Sequence, residues 1–574
     1  MIPNLLQTGA GSPTGICVYE GSLLPKKYQG EVIHSDAGPN VVRAYPVKKD
    51  GAGYEAEIAN IITSEQDKWF RPSDVCIAPD GSLFVADWYD PGVGGHRIGD
   101  QERGRIFRIA PADAKYVFDK LDLSTTEGAI AGIKNPNLAR RYLAWNKLHA
   151  LQEQALPQLE ELYQSDNQRN RARALWLLAG IKGKTGEYVS RAIQDKNSDI
   201  RITGLRAARR YKQDVIPYVS QLVKDPSPQV RRECAIALHH NKSPEASALW
   251  VTLADQYDGK DRWYLEALGI GMDEQEQKFL TAWLKQAGDH WNTPVGRDLI
   301  WRSKIPLAVP YLVKIIEDPK TDLDTLPRYF RALDFIPGTE KNRAVAELAL
   351  MKEPQNKKRE TYIIAEAISR MPANTVMQDA KYKQALTQVI DSSRGTSEFI
   401  KLVQKFKASD YYPELVGIAS RAGKSQTSVD AIRAALSLKQ NALIRKSLEN
   451  KADTEKEQNQ KLDLIWALGS AGHNSANGIL LKLITDQDEP LVDRREAVRA
   501  IAKSRSGAHA LLDLAEKKDF DPQLQQTVAA AMSSTIMKDV KERSARLYPA
   551  PPTKDNKPLP PINVLASIKG DKLD

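Results

Sequence analysis

The sequence predicts a multidomain chain: a partial all-β propeller of about two blades, followed by an all-α solenoid of stacked helix pairs. Three observations carry this prediction. Gly and Pro punctuate short β-type runs over the first 110 residues. Leu- and Ala-rich runs with spacings of three and four follow, headed by arginines at a nearly constant interval. The length of 574 residues, with 41% hydrophobic and 27% charged residues, is too great for one core and too apolar for a disordered chain.

The first strands are read from Ile16–Tyr19, Glu31–His34, Val41–Tyr45, Val75–Ile77, Ser82–Ala86 and Arg105–Ile109. The run from Asp74 to Asp87 is strand, Pro-Asp-Gly turn and strand, a hairpin signal. A further strand ends it at Gly104–Ile109. Four-stranded units of this kind are propeller blades, and a propeller needs at least about four of them to close. Residues 1–115 are assigned to this part.

Residues 116–547 are assigned to the solenoid. Its repeat is visible at Arg171, Arg201, Arg231 and Arg262, each opening an apolar helical run, at intervals of 30, 30 and 31 residues. Polar turns precede three of them, at Ser165-Asp-Asn, Asn197-Ser-Asp and Asp225-Pro-Ser-Pro. Such an interval holds two helices of about 11 residues and two turns. The pattern resembles short HEAT-like repeats. It returns at Asp488–Ile501, and blurred helical copies stand at Leu326–Leu333, Arg359–Glu366 and Val429–Leu436. Residues 548–574, with Pro558-Leu-Pro-Pro561, read as a Pro-rich linker towards an absent domain.

Charge and cysteine content remove several function classes. Lys and Arg exceed Asp and Glu by 82 to 73, but residues 1–115 hold 12 basic and 15 acidic side chains, so the excess is dilute over the helical part. That argues for no nucleic-acid partner, and a HEAT-like glycosylase leaves the strands unexplained. The repeated arginines, one per repeat facing an Asp of a turn, predict an inter-repeat ion-pair ladder. Cys17, Cys76 and Cys234 make neither a disulfide framework nor a four-ligand zinc site. His239, His240 and Cys234 share a helix end without the neighbouring carboxylates a metal site needs, and the tryptophans of the helical part read as core. No Cys-x-x-Cys-His attaches a haem to this chain, no apolar run is long enough for a transmembrane segment, and no signal peptide is present.

Two longer stretches carry a resemblance. One runs from Gly11 to Tyr28 and on through His34-Ser-Asp-Ala-Gly-Pro-Asn-Val-Val-Arg-Ala-Tyr45. The other is Trp69–His96, with Asp87-Trp-Tyr-Asp90 and Pro91-Gly-Val-Gly-Gly95, closing in Gly104–Ile109. Together they resemble the last blades of the membrane-bound-dehydrogenase-like propellers of planctomycetes, relatives of the glucose/sorbosone dehydrogenases. In that family HEAT-like repeats and then a c-type cytochrome domain commonly follow. The resemblance implies an exported quinoprotein-like sugar or alcohol dehydrogenase of the periplasm or cell envelope. It implies PQQ and Ca²⁺ in the full-length protein and haem c only in the absent C-terminal domain. The early blades are missing, so the chain is expected to be a fragment with Met1 internal.

Two polar clusters are the candidate chemistry. In the first, Asp87, Asp90 and Asp100 offer oxygen ligands for Ca²⁺, and His96 with Asp87 offers a general base or a hydrogen bond to a sugar. Trp88 and Tyr89 stand beside them, and Trp69 and Trp88 offer faces for stacking on a carbohydrate substrate. The alternative is that Asp87 and Asp90 cap turns while His96 pins the loop. In the second cluster, Asp36, Asn40 and Arg43 beside His34 are candidates for binding substrate or cofactor. Turn chemistry explains the same residues, with Arg43 paired to Asp36. The alternative to a dehydrogenase is a non-catalytic module whose solenoid binds a protein partner or presents the strands to polysaccharide.

Overall fold

The computed structural model describes residues 4–8, 11–91, 102–517 and 521–549. These belong to two compact units, Met1–Lys341 and Asn342–Asp574, so the division falls inside the helical array and the strands belong with the first helices.

In the first unit the strands are β1 (Pro13–Val18), β2 (Val32–Asp36), β3 (Val41–Tyr45), β4 (Val47–Asp50), β5 (Gly53–Ala56), β6 (Ala59–Thr63), β7 (Pro72–Ile77), β8 (Leu83–Asp87) and β9 (Arg105–Ile109). They form an antiparallel sheet of order β1-β2-β3-β6, a separate hairpin β4-β5, and a three-stranded sheet β7-β8-β9. A propeller is not shown: among the described residues these two sheets make no ring of blades. They share one apolar core instead, in which Tyr19, just after β1, and Ile33 and Val42 of the first sheet meet Val75, Leu83 and Val85 of the second. Alternation decides which side chains enter it, since Leu83, Val85 and Asp87 of β8 point inward and Phe84 and Ala86 do not. The Tyr19 hydroxyl ties the sheets together by donating to the Gly81 carbonyl at 2.8 Å while accepting from the Leu24 N–H at 2.8 Å.

Helices follow from Thr126–Lys134 onward, and the expected repeat is observed. The second helices of successive pairs are Leu138–Leu151, Gln168–Ala179, Ser198–Arg210, Pro228–Ala237 and Arg262–Gly271. Asn137, Asn167, Asn197 and Asp261 cap four of them with side-chain oxygens, and the other opens on Ser227-Pro228. The constant arginine has two duties. Arg201 donates to the carbonyls of Asp195 and Lys196 in its own turn, and Arg231 likewise to Asp225 and Pro226. Arg201 also grips Asp225 of the next turn bidentately at 2.7 and 2.8 Å, and Arg171 pairs with Asp195. The ladder breaks at Arg231, whose guanidinium lies 5.6 Å from the Tyr264 ring centroid.

The second unit is helical from Lys357–Ile368 to Lys538–Leu547. The blurred copies at 359–366 and 429–436 lie in the helices Lys357–Ile368 and Gln426–Ser437. Its buried charges are paired. Lys461 Nζ lies 2.8 Å from Glu489 and 3.0 Å from Asp493, and Arg494 lies 2.8 Å from Asp521. No described helix of the chain is long and apolar enough to cross a membrane.

Candidate functional site

The first polar cluster is organised around Asp87 at the end of β8. Its Oδ1 accepts the N–H groups of Arg71 (2.7 Å) and Tyr89 (3.0 Å). Its Oδ2 accepts from Arg105 Nε at 2.8 Å and lies 2.6 Å from Nη2 of the same guanidinium. Both oxygens of this fully buried carboxylate therefore serve the chain's own donors. Asp90 accepts from Trp88 Nε1 at 3.3 Å, and its carbonyl accepts from Arg71 Nε. Among the described residues no group of three His, Cys, Asp or Glu side chains is placed to hold a metal. The remaining members of the candidate set, His96 and Asp100, lie outside the described residues.

Arg105 is the residue that sequence reasoning missed here. It bridges Asp87 and Asp67, and its guanidinium stacks 4.1 Å from the Tyr89 ring centroid. The hydrogen bond from Arg105 holds the Asp67 carboxyl below the usual range. Trp69 leans on Tyr89 at 5.6 Å, whereas Trp88 is 62% exposed. Tyr89 itself sits at φ 52°, an uncommon left-handed position held by its N–H bond to Asp87.

The second cluster is turn chemistry. Asp36 Oδ1 accepts the N–H groups of Ser12 (2.7 Å) and Gly38 (3.3 Å). Asn40, at φ 60°, donates to the carbonyls of Lys68 and Phe70 and so joins the β2–β3 turn to the start of the second sheet. Arg43 bonds Asn60 Oδ1 at 3.1 Å, its register partner on β6, and the expected pairing with Asp36 gives way to that contact. His34 takes the Tyr45 hydroxyl at 2.8 Å, and burial, with the Arg43 charge beside it, lowers its pKa against the opposing Asp36. Burial pushes the Cys17 thiol up to about 12, with Cys76 and Asp74 adding to the shift, and burial raises Cys76 and Cys234 as well.

A polar seam lies elsewhere, where the strands meet the helices. The residues that make it recur at the N-terminal ends of the second helices. Asn137 Nδ2 donates to the Ile77 carbonyl at 2.6 Å, and Arg169 Nη2 to the Gly30 carbonyl at 2.8 Å. Lys49 reaches Asp199 at 2.8 Å, and Gln229 Nε2 donates to the Gly53 carbonyl at 3.0 Å. Arg232 donates to the Ala52 carbonyl, and Asp261 Oδ2 accepts the Ala52 N–H at 2.6 Å.

The β4-β5 hairpin is built for this seat. Its two-residue turn places Gly51 at φ 51° between the paired Asp50 and Gly53. Gly53 lies against Trp263, where a Cβ would stand 2.1 Å from the indole Cδ1. Trp263 is thus no member of the helix core, unlike Trp250, which is 1% exposed. Ala52, Gln229 and Arg232 are all buried. The Asp-Gly-Ala-Gly signal was available in the sequence, but the surrounding Lys48, Lys49, Glu55 and Glu57 mask the strand pattern.

The carboxylates missing beside His239 and His240 are supplied by the next repeat. His239 Nε2 lies 3.5 Å from Asp273, and His240 Nδ1 2.9 Å from Glu274. The histidine and acidic pairs are 34 residues apart, so sequence proximity could not reveal them.

The chain is similar to several solved structures. The structure of yeast importin-beta (Kap95p) is 12% identical, with 74% of this chain and 68% of that one covered at a TM-score of 0.26. Human deoxyhypusine hydroxylase in complex with glycerol is 15% identical, with 61% and 96% covered at 0.18. An engineered protein is 16% identical, with 68% and 97% covered at 0.19. No curated protein matches the chain. Residues 6–113, the strand region, match the family model described as a domain of unknown function, DUF7133.

Proposed function

We propose that this chain is a non-catalytic scaffold whose helical solenoid binds polypeptide and presents the strand region. One observation carries the reading: the helices of the first unit already hold a polypeptide turn, gripping the backbone of Ala52 and Gly53 through Gln229, Arg232 and Asp261. Side chains that bind main-chain N–H and C=O groups recognise a peptide by its backbone. The described candidate residues favour the same reading, because the binding candidates Asp36 and Asn40 and the catalytic candidate Asp87 are engaged in holding turns and sheets. Sugar oxidation, its PQQ and Ca²⁺ and a periplasmic setting rest on the sequence resemblance of the strand region.

Two measurements on the purified full chain test the proposal. Reconstituted with PQQ and Ca²⁺, it is expected to give no sugar-dependent dye reduction. Cross-linking of the tagged chain in its own cells is expected to yield a stoichiometric protein partner, which then binds when purified. Dye reduction that disappears on Asp87→Asn would overturn the scaffold reading in favour of the dehydrogenase.

A further inference from the structure

The second unit contains an open groove that, like the hairpin seat, is lined by cationic and amide side chains. It lies between the helices Lys357–Ile368 and Ala380–Ser392, and has a volume of about 550 Å³. Lys352, Lys357 and Lys381 line it together with Glu360, Gln384 and Gln388. Ile364 and Ala385 give it an apolar floor, both being buried.

Two features specify the occupant. The first is position within the repeat. Gln229 and Arg232, which hold the hairpin turn, are the second and fifth residues of their helix, and Lys381 and Gln384 are the second and fifth of theirs. Helix residues three apart share a face, so Lys381 and Gln384 lie together on the side of their helix that lines the groove, as Gln229 and Arg232 lie together on theirs. The second feature is charge. The buried Glu360 carboxylate is neutralised by Lys357 at 3.0 Å and by the Glu353 N–H at 2.6 Å. Among the described residues no carboxylate lies within ion-pair distance of Lys352 or Lys381, both of which are exposed.

We infer that this groove docks an acidic loop of a protein partner, its carboxylates meeting Lys352 and Lys381 and its backbone meeting the Gln384 amide. The inference rests on the scaffold reading and names the partner's chemistry and seat. Lysines at a solvated rim speed encounter and select the sign of the partner, while the amide and apolar floor recognise main chain and small side chains.

The test uses the full chain and a fluorescein-labelled peptide of glutamates flanking Gly-Ala-Gly, with a lysine-flanked peptide of the same length as its counterpart. Fluorescence anisotropy is expected to show binding of the acidic peptide alone, weakening as salt is raised. Lys352→Glu combined with Lys381→Glu is expected to reduce the affinity by about tenfold or more. Lys456→Glu, a charge reversal on another exposed lysine of the same unit, is expected to leave it unchanged. Equal affinity in the double variant, equal binding of the two peptides, absence of binding, or displacement by inorganic phosphate as effective as by unlabelled peptide would each overturn the inference. A cellular partner cross-linked elsewhere on the chain would remove the groove and leave the scaffold standing. Dye reduction dependent on Asp87 would remove the scaffold whatever the peptide does.

Discussion

Asp261 and Ala52 join the strand region to the helices through one carboxylate. Asp261 Oδ1 accepts the Tyr264 N–H at 2.9 Å and so caps the helix Arg262–Gly271, while Oδ2 accepts the Ala52 N–H at 2.6 Å. Asp261→Ala removes a cap worth about 1 kcal/mol and leaves a buried N–H unsatisfied at a cost of about 1–3 kcal/mol. Hydrogen exchange is the measurement. The Ala52 amide and the first turn of that helix are expected to lose protection together, whereas independent losses would separate cap from dock.

Gly53→Ala tests the closeness of the hairpin seat. The new methyl would stand 2.1 to 2.4 Å from atoms of the Trp263 indole, an overlap that alanine has no side-chain torsion to relieve, so the turn and the indole must move apart. A double-mutant cycle with Trp263→Ala is expected to show coupling, with the second change recovering part of the lost stability. Additive effects would place the strain elsewhere.

The ion-pair ladder is expected to be strongest where it is driest. Arg201 and Asp225 have side chains only 12% and 5% exposed. Arg201→Ala leaves that carboxylate without a counter-charge, holding only the Ser227 N–H, and is expected to destabilise the first unit by about 3 kcal/mol, read as a lower thermal midpoint. The solvent-screened pair of Lys48 and Glu57, whose side chains are 66% and 70% exposed, is expected to leave the thermal midpoint unchanged when Lys48→Ala is made.

Glu266 sets an acid limit. Burial works to raise its pKa, but the guanidiniums of Arg302 and Arg262 outweigh it and the net displacement is downward. A carboxylate lowered in the folded state stabilises the fold above its unfolded value, near about 4.3, and the contribution is lost as pH falls through the lower folded value. The thermal midpoint is expected to fall steeply below about pH 4, and Glu266→Gln is expected to flatten that limb while lowering stability at neutral pH. An unchanged acid limb would assign it to other carboxylates.

Much of the fold was legible because it is periodic. The arginines at 171, 201 and 231 announced the repeat, and the pairing of Arg171 with Asp195 and of Arg201 with Asp225 followed from one geometry reused. The strands β2, β3, β7, β8 and β9 were legible for the same reason, as apolar runs bounded by turns. The β4–β6 segment was not, because charged residues dominate the hairpin and its partners are 150 to 210 residues away in the chain.

By itself the sequence determined the division into strands and helix pairs, since local periodicity and turn residues act over a few neighbours. Only the tertiary structure decided what the singled-out residues do. Asp87 reads as a ligand in isolation, and becomes a buried anchor once Arg71, Tyr89 and Arg105 surround it. Trp263 reads as core on a helical wheel, and becomes the wall of a seat for Gly53. The physical reason is common to both: a side chain's role is set by the donors, acceptors and volumes that packing brings within about 3–4 Å, and those come from distant parts of the chain.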